Sequence, residues 1–199
     1  HTKNGGKATV VSLSYGENGE SGDLWKIPGQ TIEKVKSKRH DEALAASNAL
    51  GARFIPMDLG DYPLEISRSS LISLVKIFVE ISPDIVLVHS KEDPFNPDHP
   101  VASKAALKAR LLATGAGGVP ASFKTIPPSI VYAFEPHQPD LCSFIPDTFV
   151  DVSQVWPTKL EAMSAMEAQS YLKDHYTKRA EQRAFQSRYV GLNHNTKYV

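Results

Sequence analysis

Four stretches of this chain gather the side chains that carry proton chemistry. They are SYGENGES (14–21), MDLGDYP (57–63), HSKEDPFNPDHP (89–100) and FEPHQPDLC (134–142). Together they hold Glu17, Glu20, Asp58, Asp61, His89, Asp93, Asp98, His99, Glu135 and His137. Carboxylates and imidazoles are the groups that exchange protons near neutral pH, and neutral imidazole is also the commonest metal ligand. For any one of these loops, turn formation by Pro, Gly, Asn and Asp is the competing explanation. NPDH, Asn96 to His99, places an imidazole at the opening of a helix, which by spacing alone is a weak sign of a ligand.

Each stretch follows an apolar run. Ala8 to Leu13 reads as a buried strand, and Thr31 to Leu50 as a helix with Ile32, Val35, Ala43, Ala46 and Leu50 on one face, closed by Gly51. Phe54 to Asp58 is a second strand. Leu71, Leu74, Val75, Phe78 and Val79 give an amphipathic helix stopped by Pro83, and Ile85 to His89 a third strand. A helix near 100–114 and a Gly-rich loop at 115–118 follow. Ile130 to Phe134 makes a fourth strand, Phe149 to Val152 a fifth, and helices near 156–172 and 175–189 end the chain. The order predicts an α/β fold, Rossmann-like and three-layered, with one mainly parallel sheet and a single domain over 1–199. Ligands of such sheets sit outside the carboxyl ends of the strands, which is where the four stretches fall.

Composition narrows the partners. Across 199 residues, 22 Lys and Arg balance 22 Asp and Glu, so no overall field recruits nucleic acid or an anionic membrane, and a substrate must be recognised locally. Cys142 is the only cysteine and no apolar run approaches the ~20 residues of a membrane span. A reducing cytoplasm suits this usage. The first residue is His1 rather than methionine, and the expectation is that the natural beginning lies upstream.

GENGES after a strand, RHDEALAASNALG on the next helix, DLGDYP and HSKEDPFNPDHP together resemble the LmbE-like (PIG-L) de-N-acetylase family, whose members use a mononuclear zinc site. FEPHQPDLCSFIPDTFVDVSQVWPTKLEAMSAM and YLKDHYTKRAEQR are similar to one branch, the 4-oxalomesaconate hydratases of gallate and protocatechuate breakdown. The resemblance implies Zn2+ with His99 as one ligand. The family's first strand and its AHPDDE-like motif are absent, and the remaining ligands are expected upstream. Asn96 stands where the deacetylases have the first histidine of HPDH, which argues against amide hydrolysis. By the same resemblance Glu20 matches the hydratases' catalytic base, with Glu17 ordering the loop; His137, flanked by Pro136 and Pro139, is the expected partner acid, and an ordinary turn glutamate and a surface histidine are the competing readings. Relatives commonly form hexamers, so a homo-oligomer is implied.

Hydrating a double bond conjugated to a carbonyl needs a base for water, an acid for carbon and an electrophile for enolate charge. A tricarboxylate substrate also needs cations. Arg39 occupies a position where the family places an arginine near its substrate, and its planar fork suits a carboxylate; an ion pair with Asp41 or Glu42 is the competing role. Lys91 and His89 are further substrate candidates, and Tyr15 either lines the pocket or packs the core. The expected activity is a zinc-dependent hydratase acting on an unsaturated oxo-tricarboxylate. A deacetylase of N-acetyl sugars and an inactive binding or assembly subunit are the alternatives.

Overall fold

Among the described residues, short runs rich in Val and Ile form four strands, and each pairs in parallel with the strand reached through a helical crossover. The computed structural model describes residues 1–117, 123–191 and 193–199. Two compact units are present, His1–Asp58 with Asp147–Val199, and Leu59–Pro146.

In the first unit β1 (Thr9–Ser12) is followed by a one-turn helix α1 (Gly22–Trp25), the long helix α2 (Ile32–Ala49) and β2 (Arg53–Pro56). β1 and β2 run in register from Thr9 opposite Arg53 to Ser12 opposite Pro56. Thr31 caps α2 by accepting the Lys34 amide, and Gly51, at φ 64°, supplies the left-handed residue that stops it. In the second unit α3 (Arg68–Ile81) leads to β3 (Ile85–Val88), and α4 (Asp98–Thr114) to β4 (Ile130–Ala133). β3 and β4 are parallel, from Ile85 opposite Ile130 to Val88 opposite Ala133. α3 buries Leu71, Leu74, Val75 and Phe78 on the face its periodicity predicts, and packs on α4. The closing helices, α5 (Trp156–Ala165) and α6 (Leu172–Ser187), return to the first unit.

The α/β class with parallel strands and helical crossovers is as expected. Among the described residues no helix is long and apolar enough to cross a membrane. Four details differ. The described strands form two two-stranded sheets rather than one, because apolar runs specify strands but not which edges meet. Of the apolar face anticipated for α2 only Val35 is fully buried, Ile32, Ala43 and Ala46 being half-buried and Leu50 exposed, and the other buried residues are Arg39, Glu42 and Ser47. Arg39 and Glu42 neutralise each other, which lets them lie on the same side as Val35. Phe149 to Val152 is not a strand. Asp151 turns its carboxylate onto the Ser153 amide at 2.9 Å, which bends the chain, and the Val152 amide makes a single bond to the Tyr198 carbonyl at 3.0 Å. The helix anticipated to run to 172 stops at Ala165 and is replaced by a 3-10 turn, Glu167–Gln169, because the Ala168 amide donates to Glu42 Oε1 at 3.0 Å. Of the Gly-rich loop, Gly118 lies outside the described residues.

Candidate active site

In the first unit the loop leaving β1 is built around a buried acid that does no visible chemistry. Glu17 is 1 % exposed; its carboxylate accepts the Tyr15 amide at 3.1 Å and pairs with Lys36 at 3.3 Å, while its carbonyl accepts the Trp25 indole N–H at 2.7 Å. Gly16, at φ 69°, lets the loop double back, so that its carbonyl accepts the Glu20 amide at 3.2 Å and the Ser21 hydroxyl at 2.7 Å. A Cβ at position 16 would stand 3.0 Å from Glu20 Cβ. The turn therefore brings Glu20 back against Gly16, half-buried, with its Oε2 accepting the Gln169 side-chain amide.

Arg39 lies beside it on α2, 6 % exposed. Nη1 donates to Glu42 Oε2 at 2.6 Å, Nε to the Tyr15 carbonyl at 3.1 Å and Nη2 to Gln169 Oε1 at 2.9 Å. Glu42, equally buried, takes the Ala168 amide on its other oxygen, with Lys38 at 3.8 Å. Tyr15 is half-buried and meets His40 edge-on at 5.9 Å between ring centres. Burial, followed by the charge of Asp58, pushes the Tyr15 phenol above its ordinary range.

In the second unit the loop leaving β3 folds around Asp93. Its Oδ1 accepts the Phe95 and Asn96 amides at 3.0 and 3.1 Å, and its Oδ2 meets His99 Nδ1 at 2.8 Å. Burial opposes ionisation of Asp93, but the hydrogen bonds from His99 and the two amides outweigh it and hold the carboxyl below its usual range. Because a carboxylate accepts, Asp93 engages Nδ1 as an N–H donor and leaves Nε2 as the ring nitrogen through which His99 could ligate a metal. His89 stacks on His99 with 4.0 Å between ring centres and 12° between planes, and meets Phe134 edge-on at 4.6 Å. Burial, then the neighbouring His99, push His89 down to about 4, so it is a neutral ring near pH 7. Asn96 is 6 % exposed, and its Oδ1 accepts the Asp98 amide at 3.1 Å, shaping the entry to α4. Asp98, also buried, accepts the Tyr62 and Leu64 amides at 2.8 and 2.9 Å. Lys91 is exposed. His137 is half-buried between Pro136 and Pro139, both buried.

The residues singled out from sequence thus fall into two groups: Glu20 and Arg39 in the first unit, and His89, Lys91, Asn96, His99 and His137 in the second. His89 and His99 are in direct contact, and Asn96 and His99 share the Asp93 loop. Asp93 and Gln169 were not assigned a role from sequence, whereas Glu42 was named there as the competing ion-pair partner of Arg39, and the structure shows that pair at 2.6 Å, buried. Asp93 is six positions before His99 within one loop, a spacing that in retrospect suggests the pair. Gln169 and the buried side of Glu42 left no local signal. Among the described residues no three His, Cys, Asp or Glu side chains are grouped to hold a metal, so His99 is one oriented donor and not a complete site. Chemically, the first unit offers a positioned carboxylate, and the second offers an oriented imidazole and another imidazole on a proline-bounded loop.

The sequence model of the GlcNAc-PI de-N-acetylase (PIG-L) family matches residues 1–110. A 4-oxalmesaconate hydratase of Pseudomonas putida is 42 % identical over 193 residues, covering 96 % of this chain and 74 % of the relative. The crystal structure of GalB, the 4-carboxy-2-hydroxymuconate hydratase of Pseudomonas putida, is similar with a TM-score of 0.95 and 42 % identity, over 100 % of this chain and 83 % of the other. The N,N'-diacetylchitobiose deacetylase of Pyrococcus horikoshii shares the fold, with a TM-score of 0.76 at 17 % identity, over 99 % of this chain and 72 % of the other. The resemblance carried by GENGES, RHDEALAASNALG and HSKEDPFNPDHP is borne out by these likenesses.

Proposed function

This chain belongs to the PIG-L (LmbE-like) family, and from that premise we propose that it is a hydratase adding water to an unsaturated oxo-tricarboxylate, 4-oxalomesaconate, to give 4-carboxy-4-hydroxy-2-oxoadipate in gallate or protocatechuate breakdown. The observation that carries the reading is its likeness, along nearly its whole length, to the hydratase of Pseudomonas putida. Asn96 supports the same side: an amide cannot become the imidazolium that an acyl-transfer intermediate would call on.

In this reading Glu20 takes a proton from water as the oxygen adds to the double bond, and His137 delivers a proton to the adjacent carbon; solvent restores both groups. Arg39, His89, Lys91 and Asn96 are the proposed substrate-binding residues. A metal ion, which we propose is Zn2+, would be held by His99 Nε2, with Asp93 fixing the ring. Such an ion would stabilise the developing enolate charge. The substrate is a small molecule, and we further propose a cytoplasmic homo-oligomer.

The decisive assay presents the protein with 4-oxalomesaconate and, separately, with N-acetylglucosamine derivatives. Loss of conjugated absorbance with little acetate release is expected, and Glu20→Gln should lower kcat by about 10² or more. Acetate release without hydration would move the protein to the deacetylases.

A further inference from the structure

Gln169 stands where two fixed structures meet. Its place depends on the break after α5: the Ala168 amide goes to Glu42 Oε1 at 3.0 Å instead of continuing the helix, and the chain turns through Glu167–Gln169. The same Glu42 grips Arg39 with its other oxygen at 2.6 Å. Arg39 in turn holds the Tyr15 carbonyl, at the start of the Glu20 loop, and Gln169 Oε1. One guanidinium therefore ties together the strand end, the turn and the amide.

The chemistry of the groups fixes which way that amide points. A carboxamide has a donor end and an acceptor end, and a guanidinium only donates. Arg39 Nη2 at 2.9 Å selects the carbonyl oxygen, so the NH2 group must face the other way, where it meets Glu20 Oε2. A neutral amide between arginine and glutamate passes on orientation without passing on the full positive charge. A direct Arg39–Glu20 ion pair would stabilise the charged carboxylate and weaken it as a base. Interposing Gln169 holds one oxygen in place without bringing the guanidinium itself onto the carboxylate.

We propose that Gln169 is a positioning residue for the Glu20 carboxylate, with Arg39 setting the direction of its amide. This rests on the reading of Glu20 as the general base. General bases work only within about 2.6–3.2 Å of the proton they remove, and a misplacement on the order of 1 Å costs about 10²-fold in rate. Gln169→Leu, which keeps the bulk and deletes both amide ends, should lower kcat for hydration about 10- to 100-fold with KM within about threefold of the parent. In a Glu20→Gln background the same substitution should cause no further loss, because it acts through Glu20. A crystal structure of Gln169→Leu should show the Glu20 side chain displaced, a readout that needs no activity. If leucine unfolds the turn, Gln169→Asn keeps the amide but is one methylene too short to span Arg39 and Glu20, and should behave alike. Parental kcat in the single variants, an unmoved Glu20, or equal fold-losses in both backgrounds would overturn the proposal. Near-normal turnover in Glu20→Gln would instead overturn the base assignment and the proposal with it, whereas a damaged Glu20→Gln beside a fully active Gln169→Leu would overturn the positioning role alone.

Discussion

Replacing Glu42 by leucine should be among the most damaging single changes in the first unit, although no assigned catalytic group is touched. Arg39 and Glu42 are both more than nine-tenths buried and 2.6 Å apart. In Glu42→Leu the guanidinium keeps, among the described residues, neutral acceptors alone, the Tyr15 carbonyl and Gln169 Oε1, and the Ala168 amide loses its acceptor. Removing one partner of a buried ion pair costs about 3–5 kcal/mol, because a charge is left uncompensated. The orphaned amide adds about 1–3 kcal/mol, but neighbouring losses do not sum, so the first range is the expectation. At about 2–4 °C per kcal/mol for a chain of this size, the melting temperature should fall by about 6–20 °C. Arg39→Leu should cost less, since Glu42 keeps Lys38 at 3.8 Å and the Ala168 amide. Arg39→Leu/Glu42→Leu should recover most of the loss, with no charge left buried. Thermal unfolding followed by circular dichroism measures all three. A Glu42→Leu protein melting within about 2 °C of the parent, or a double variant no better than Glu42→Leu, would refute the reasoning.

Metal content tests the proposed zinc site: elemental analysis should find zinc lost in His99→Ala and the affinity for it lowered about 10- to 100-fold in Asp93→Asn, whereas zinc undiminished in His99→Ala removes that residue from the site. The C-terminal residues should loosen in acid. Hydrogen bonds from the Ser153 side chain and amide, then from Thr196, hold the Asp151 carboxyl below its usual range. A depressed folded-state value means that the stabilisation is complete above the unfolded value of about 3.9 and is lost as pH falls through the lower, folded one. Near-UV circular dichroism of the Trp156–Tyr198 stack, 4.1 Å between ring centres, should therefore hold steady down to about pH 4 and decline below it. An identical acid transition in Asp151→Asn would show that another group controls it.

How much was legible in the sequence follows the range of the interactions involved. The strands β1 to β4 and the helices α2 and α3 were readable because apolar periodicity and caps such as Thr31 and Gly51 act within one element. The loops that carry Glu20, His89, Asn96, His99 and His137 were readable for a related reason: each directly follows a strand, and its residue types are unusual for a plain turn. Family resemblance then supplied roles that spacing alone left open. What the sequence could not state was which distant groups satisfy one another. Arg39 and Gln169 are 130 positions apart and Glu20 and Gln169 are 149 apart, so nothing local marks the turn that joins them. The same blindness explains the helix that breaks at Ala165, where a carboxylate from α2 takes an amide that the local pattern assigns to the helix. It also explains the strand absent at Phe149–Val152, where Asp151 and the tail residues Thr196 and Tyr198 claim the hydrogen bonds. A buried charge reads as a surface residue until its partner is known, and for Arg39 and Glu42 the burial of the pair was decided only when α2, α5 and the turn after it packed together.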